Sequence, residues 1–243
     1  MNRLRKWKFG IAVMCIVFLS GCATTRFIAN PAPPKELKLS GKDQNFEVVL
    51  DYIILPNGPG SWVKNALWDE YVLTLRNLSD KDVTAERFRI VDPRGVYVNS
   101  GFNPLQLESA SRMLANTYQD IGITTAVGVG SEALLLAGGL AMAPVALVAL
   151  PVYEVCSMGK MFSETQDSEK IGKEFTRRML VAVDLSGNAT VTGSIFFPII
   201  PSPKSLVIEY RMKSETKTLE ISLEKLAGLH VAPKNKSEEK MKR

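Results

Sequence analysis

Two blocks of short segments alternate apolar and polar residues at every second position, one before residue 100 and one after residue 179. Period two belongs to a strand with one buried face, because successive side chains leave the backbone on opposite sides. In the first block, Phe46 to Leu55 is rich in branched and aromatic residues and stops at the loop Asn57-Gly58-Pro59-Gly60. In Tyr71 to Asn77 the residues Tyr71, Leu73 and Leu75 share one face, and Asn77 to Asp80 supplies a turn. Val83 to Val91 follows, and Asp92-Pro93-Arg94-Gly95 has the residue types of a tight turn into Val96 to Val98. The second block offers Met179 to Leu185, Thr190 to Phe197, Ser205 to Met212 and Lys217 to Leu223, with Ser186-Gly187-Asn188 as a hairpin-like turn. About seven or eight short strands at this spacing suit an antiparallel sandwich.

Between the blocks the period changes. Asn103 is placed to cap a helix with Pro104 at its first position, and Leu107, Ala110, Leu114, Tyr118 and Ile121 recur at helical spacing. From Ile121 to Cys156 only Glu132 and Glu154 carry charge, and Ala133 to Val152 is 20 residues with none. That length could span a bilayer. A single crossing would put the two strand blocks on opposite sides of the membrane, so a hairpin broken near Gly138-Gly139 or Pro144 is the expectation. Such a hairpin can pack on the sandwich as a second core, dip into the bilayer, or form an interface with a partner protein or a second copy. The contact residues expected are Leu134, Leu135, Leu136, Gly138, Gly139, Leu140, Met142, Val145, Leu147 and Val148. A polar helix is expected from Ser163 to about Arg178.

The first 22 residues have three parts: the basic run Arg3 to Lys8, the apolar run Phe9 to Leu19, and the small residues Ser20-Gly21-Cys22. That is the layout of a secretory signal, and its apolar run is too short to remain as a spanning helix. Leu19-Ser20-Gly21-Cys22 resembles the lipobox of bacterial lipoproteins. The resemblance implies cleavage between Gly21 and Cys22, a diacylglycerol thioether on Cys22 and acylation of the new amino terminus, with palmitate the usual acyl chain. Two or three chains, at about 0.8 kcal/mol per buried methylene, hold a protein on a membrane. Ala23 stands where lipoproteins retained at the inner membrane often carry aspartate, so the resemblance implies the outer membrane, facing the periplasm.

Cleavage there changes the charge and cysteine arithmetic. The formal net charge of +5 includes four basic signal residues; without them 26 basic residues face 25 acidic ones. The tail Lys234 to Arg243 holds five basic and two acidic residues, which leaves the rest of the body slightly acidic. Nothing points to nucleic acid. Of three cysteines, Cys15 would be removed and Cys22 lipidated, so Cys156 has no disulfide partner and reads as a small buried hydrophobe.

The expected organisation is a signal over 1–21, a lipidated tether over 22–44, a first sandwich half over 45–100, a helical insertion over 103–178 containing the apolar hairpin 121–156, a second sandwich half over 179–230, and a basic tail over 231–243. The fold class is α+β: an antiparallel immunoglobulin-like sandwich with an inserted apolar helical hairpin. The body is similar to small exported immunoglobulin-like domains of bacterial lipoproteins in Tyr71 to Asn77 and in Gly193-Ser194-Ile195-Phe196-Phe197-Pro198. Those motifs report core packing and imply no activity.

Familiar catalytic sets are missing from the sequence. A Ser-His-Asp mechanism needs an imidazole, and His230 alone is present, near the chain end, where a solvated position is expected. A zinc site needs several His and Cys ligands, and no metal or cofactor is expected. Asp51, Asp69, Glu70 and Asp92 would be the acids of a glycosidase pair, but charged residues at strand ends are usually solvated. Trp62, Trp68 and Tyr71 suit either a sugar-binding surface or a sandwich core. The expected function is therefore that of a non-catalytic envelope lipoprotein, an assembly or accessory factor acting through the apolar hairpin. The alternative is a carrier for a lipid or other apolar ligand.

Overall fold

The computed structural model describes residues 26–126 and 166–232. The lipobox, the hairpin contact residues, Cys156 and the basic tail lie outside the described residues. Along the chain run β1 (Arg26–Phe27), β2 (Leu39–Lys42), β3 (Phe46–Ile54), β4 (Val63–Lys64), β5 (Trp68–Asn77), β6 (Val83–Val91) and β7 (Tyr97–Asn99). Helices α1 (Pro104–Asp120) and α2 (Gln166–Arg178) follow, then β8 (Val183–Leu185), β9 (Thr190–Pro198), β10 (Ser205–Met212), β11 (Glu215–Ser222) and a 3-10 turn at Glu224–Leu226. The class is α+β, and every pairing between these strands is antiparallel.

One sheet has the order β2-β3-β5-β9, the other β11-β10-β6-β7 with β8 also paired to β6, and β1 pairs with β4 as a separate ribbon. Each block of alternating residues feeds both sheets. The earlier block gives β2, β3 and β5 to one sheet and β6 and β7 to the other; the later block gives β9 to the first and β8, β10 and β11 to the second. The blocks are interleaved, so the residues before and after the helical region belong to one body.

Alternation does its expected work between the sheets. Phe46, Val48 and Leu50 of β3, Leu73 and Leu75 of β5, Ile90 of β6 and Ile208 of β10 are fully buried in one cluster that both sheets supply. Phe46 packs on Tyr210 across the sheets with ring centroids 4.8 Å apart, and Tyr71 meets Phe197 edge-on at 5.3 Å. Each such side chain contributes roughly 1.5–3 kcal/mol by leaving water. Alternation fails in the first half of β5 and the second half of β9, where both faces are buried. There a second cluster of Trp62, Trp68, Leu107, Ile171, Phe175 and Phe196 lies under the helices, with Phe175 stacked on Phe196 at 3.9 Å.

Helix α1 starts as its sequence dictates: the Asn103 side chain accepts from the Leu105 amide at 2.8 Å, and Pro104 opens the first turn. Two expectations need correction. The segment 22–44 is not a free tether throughout, because Arg26–Phe27 pairs with Val63–Lys64 and Leu39–Lys42 pairs with β3. Phe27 packs against the second cluster, 6.4 Å from the Trp62 ring, which secures this end of the chain. Nor is Ser186-Gly187-Asn188 a hairpin turn, since β8 lies on β6 and β9 on β5. The turn is instead docked on residues 77–80: Asn77 Nδ2 donates to the carbonyls of Leu185 and Ser186, and the Asn188 amide donates to the Ser79 carbonyl. A Cβ on Gly187 would stand 2.8 Å from the Asp80 carbonyl oxygen, so only glycine lets the chain cross between sheets here.

Candidate functional site

Asp69 and Glu70 are neighbours at the head of β5, so their side chains leave the strand on opposite faces. Both are buried, at 1% and 2% exposure, contrary to the expectation of solvated strand-end acids. A buried carboxylate must find donors, since burying an unpaired charge costs far more than burying a methylene.

Asp69 finds His230, whose Nε2 lies 3.0 and 2.9 Å from its two oxygens. The other ring nitrogen is 3.3 Å from the Ala126 carbonyl oxygen. His230 is thus buried rather than solvated, with backbone in the left-handed region at φ 55°. Burial works against the imidazolium, but the charge and hydrogen bond of Asp69, aided by the Ala126 carbonyl, outweigh it and hold the pKa above its usual value. Around this pair the backbone is stitched: the Ala126 amide donates to the His230 carbonyl and the Ala232 amide to the Thr124 carbonyl, both at 2.8 Å, while Thr125 bridges Val231.

Glu70 faces the other way, under α2. It accepts from Trp62 Nε1 at 2.6 Å and Ser194 Oγ at 2.5 Å, and pairs with Arg178 Nη1 at 3.3 Å. The Arg178 guanidinium also lies over the Trp62 ring, 5.2 Å from its centroid. Its Nε donates to Glu174 at 2.7 Å. Arg177 first and Arg178 next hold the Glu174 carboxyl down at about 2 against partial burial.

Two adjacent acids therefore fasten both flanks of residues 127–165. Asp69 holds His230, whose ring meets the Ala126 carbonyl just before the segment, and Glu70 holds Arg178 at the far, C-terminal end of the helix that follows it. Asp92, fully buried, serves a different place. Its Oδ1 accepts from the amides of Arg94 and Val96, and its Oδ2 from Arg94 Nε and the Tyr118 hydroxyl. It closes the predicted turn and ties it to α1. Burial opposes its charge and is outweighed by those donors, so its carboxyl stays below the usual range. Asp51 accepts from the Thr74 hydroxyl at 2.7 Å.

The four acids are not gathered round one cleft; each takes donors from the fold itself. Trp62, Trp68 and Tyr71 are interior, which realises the core reading of those aromatics. Trp62, Trp68, Ser61 and Glu70 line a small recess with Ile54, Leu55 and Ala66. Among the described residues no group of three or more His, Cys, Asp and Glu side chains could hold a metal ion, and no helix is long and apolar enough to cross a membrane. One buried pair is incompletely satisfied: Glu108 on α1 has Oε1 without a hydrogen-bond partner, and Arg112 Nη2 is 3.7 Å from its Oε2. Burial pushes the Glu108 carboxyl up to about 7 against the pull of Arg112.

The acid lashings were open to sequence reasoning in one respect. Trp68-Asp69-Glu70-Tyr71 sets two acids between aromatics at the start of a strand that is otherwise apolar, and buried acids imply partners to be sought elsewhere in the chain. Which partners these are depends on residues 161 and 108 positions away. No family model matches the chain, and neither a curated protein nor a solved structure matches it.

Proposed function

We propose that the chain is a lipid-anchored, non-catalytic protein of the bacterial cell envelope, held at the outer membrane through acylated Cys22 and facing the periplasm. Its body is an immunoglobulin-like sandwich, and its working part is the apolar segment Ala133 to Val152, folded as a helical hairpin that engages an envelope partner, a second copy or the bilayer. The role is that of an assembly or accessory factor. The observation that carries this reading is the paired clamp at the head of β5. Asp69 and Glu70 secure both flanks of residues 127–165 to a rigid two-sheet frame, which suits a body built to present that segment.

The test is cross-linking in intact cells from photoreactive residues placed at Leu135, Leu140 and Leu147. Adducts with one protein or with a second copy support the assembly role. Adducts with lipid alone at fixed stoichiometry point to the carrier, and absence of adducts from all three positions overturns the reading. Substituting Cys22→Ser is expected to move the protein out of the membrane fraction and abolish palmitate incorporation.

A further inference from the structure

Resting on the lipoprotein reading, we infer that the β1–β4 ribbon is a membrane-facing surface that binds anionic lipid headgroups through Arg26 and Lys64. Three residues separate Cys22 from Arg26, and four fully extended steps cover at most about 14 Å. Arg26–Phe27 is already built into the body by pairing with Val63–Lys64, by the Ile28 amide donating to the Trp62 carbonyl at 2.8 Å, and by Phe27 packing on the second cluster. The lipid therefore holds this face of the body against the headgroups instead of letting it stand off on a long leash.

Charge points to the same occupant. Arg26 and Lys64 are direct cross-strand partners and both are exposed, an arrangement of like charges that disfavours the ribbon on its own. Neither has an ion-pair partner among the described residues, as is also true of Lys35, Lys42, Lys81, Lys204, Lys213 and Lys225; Arg26 and Lys64 differ in standing side by side next to the lipid attachment point. On α2, which packs against β1, every cation is matched: Lys170 with Asp167, Lys173 with Glu169, Arg177 with Glu174, and Arg178 with Glu70 and Glu174. Unmatched cations at the point nearest the lipid fit the phosphates of anionic lipids, whose surface attracts Lys and Arg within a Debye length.

Lysine footprinting of the lipidated full chain, reconstituted in vesicles, tests this. A water-soluble amine acylating reagent is applied, and modification of Lys64 is read against Lys213, which lies in the β10–β11 turn at the opposite end of the sheets. In phosphatidylethanolamine–phosphatidylglycerol vesicles Lys64 is expected to react about tenfold more slowly than Lys213. The protection should shrink in neutral phosphatidylcholine vesicles, in high salt, and in Arg26→Gln. Equal reactivity of the two lysines in the anionic vesicles overturns the inference, and protection of equal size in neutral vesicles overturns its charge basis. Intact mass separates the premises: an unacylated Cys22 overturns the lipoprotein reading and this surface with it, whereas an acylated chain with freely reactive Lys64 overturns the surface alone.

Discussion

The two faces of the β2-β3-β5-β9 sheet are buried by different means. The face turned to the other sheet is lined mainly by aliphatic and aromatic side chains, to which eight strands contribute, with Asp69 leaving β5 on the same side to meet His230. The face under α1 and α2 is smaller and mixes Trp62, Trp68, Phe175 and Phe196 with polar residues: Glu70, Ser194, Arg178 and Ser111. Ser111 Oγ is 2.5 Å from the Leu67 carbonyl and accepts the Ile199 amide at 2.9 Å, so one hydroxyl ties the helix to the start of β5 and the end of β9, which pair at one end of the covered sheet. Apolar burial between the sheets is non-directional, whereas the hydrogen bonds and ion pair under the helices are directional.

The sharpest way to break this contrast begins between the sheets. Phe197→Ala removes a fully buried ring that packs on Tyr71 and is expected to cost about 4 kcal/mol in urea unfolding, uniformly across the molecule. Glu70→Ala leaves Arg178, Trp62 Nε1 and Ser194 without their shared acceptor, and is expected to cost about 3 kcal/mol. Its signature should be local. Hydrogen exchange of α2 amides should rise well above that of β3 and β10, whereas Phe197→Ala should raise all of them together. If Glu70→Ala loosens the whole body evenly, the covered face is not a separately fastened layer.

The smallest effect sharpens the contrast through pH. His230 has its pKa raised, so the stability it lends is fully present below its unfolded value near 6.5 and is lost as pH rises through the folded value. Glu108, raised to about 7, acts in the same direction: its contribution is whole below its unfolded value of 4.5 and fades as pH rises through 7. Asp43 and Asp92 have lowered pKa values and matter only toward strong acid. Stability is therefore expected to fall between pH 5 and pH 9, by on the order of 2 kcal/mol. His230→Gln should flatten the alkaline part of that slope. A wild-type midpoint that rises over this range would refute both assignments.

Strands β3, β6, β9 and β10 were legible almost to the residue: in β3 and β6 a single buried face imposes period two, while β9 and β10, buried on both faces over part of their length, showed as runs of branched and aromatic residues bounded by turn residues. Helix α1 was legible from Asn103-Pro104 and its apolar spacing for the same reason. The start of β5 at Trp68 was not. Helices cover its outer face, so apolar and acidic residues occupy both sides and the alternation disappears. The turn at 186–188 was legible as a turn but not as a crossing, since local backbone geometry carries no record of which sheet each flanking strand will join.

By itself the sequence determined the period and bounds of most strands, the capped start of α1, the uncharged run Ala133 to Val152 and the lipobox resemblance at Leu19 to Cys22. All of these are properties of contiguous residues. Only the tertiary structure decided that Arg26–Phe27 is docked rather than free, that His230 is interior, and that Asp69 and Glu70 grip opposite flanks of one segment. The reason is physical: a buried charge must be matched by whatever donor the fold brings to it, and that donor has no fixed distance along the chain.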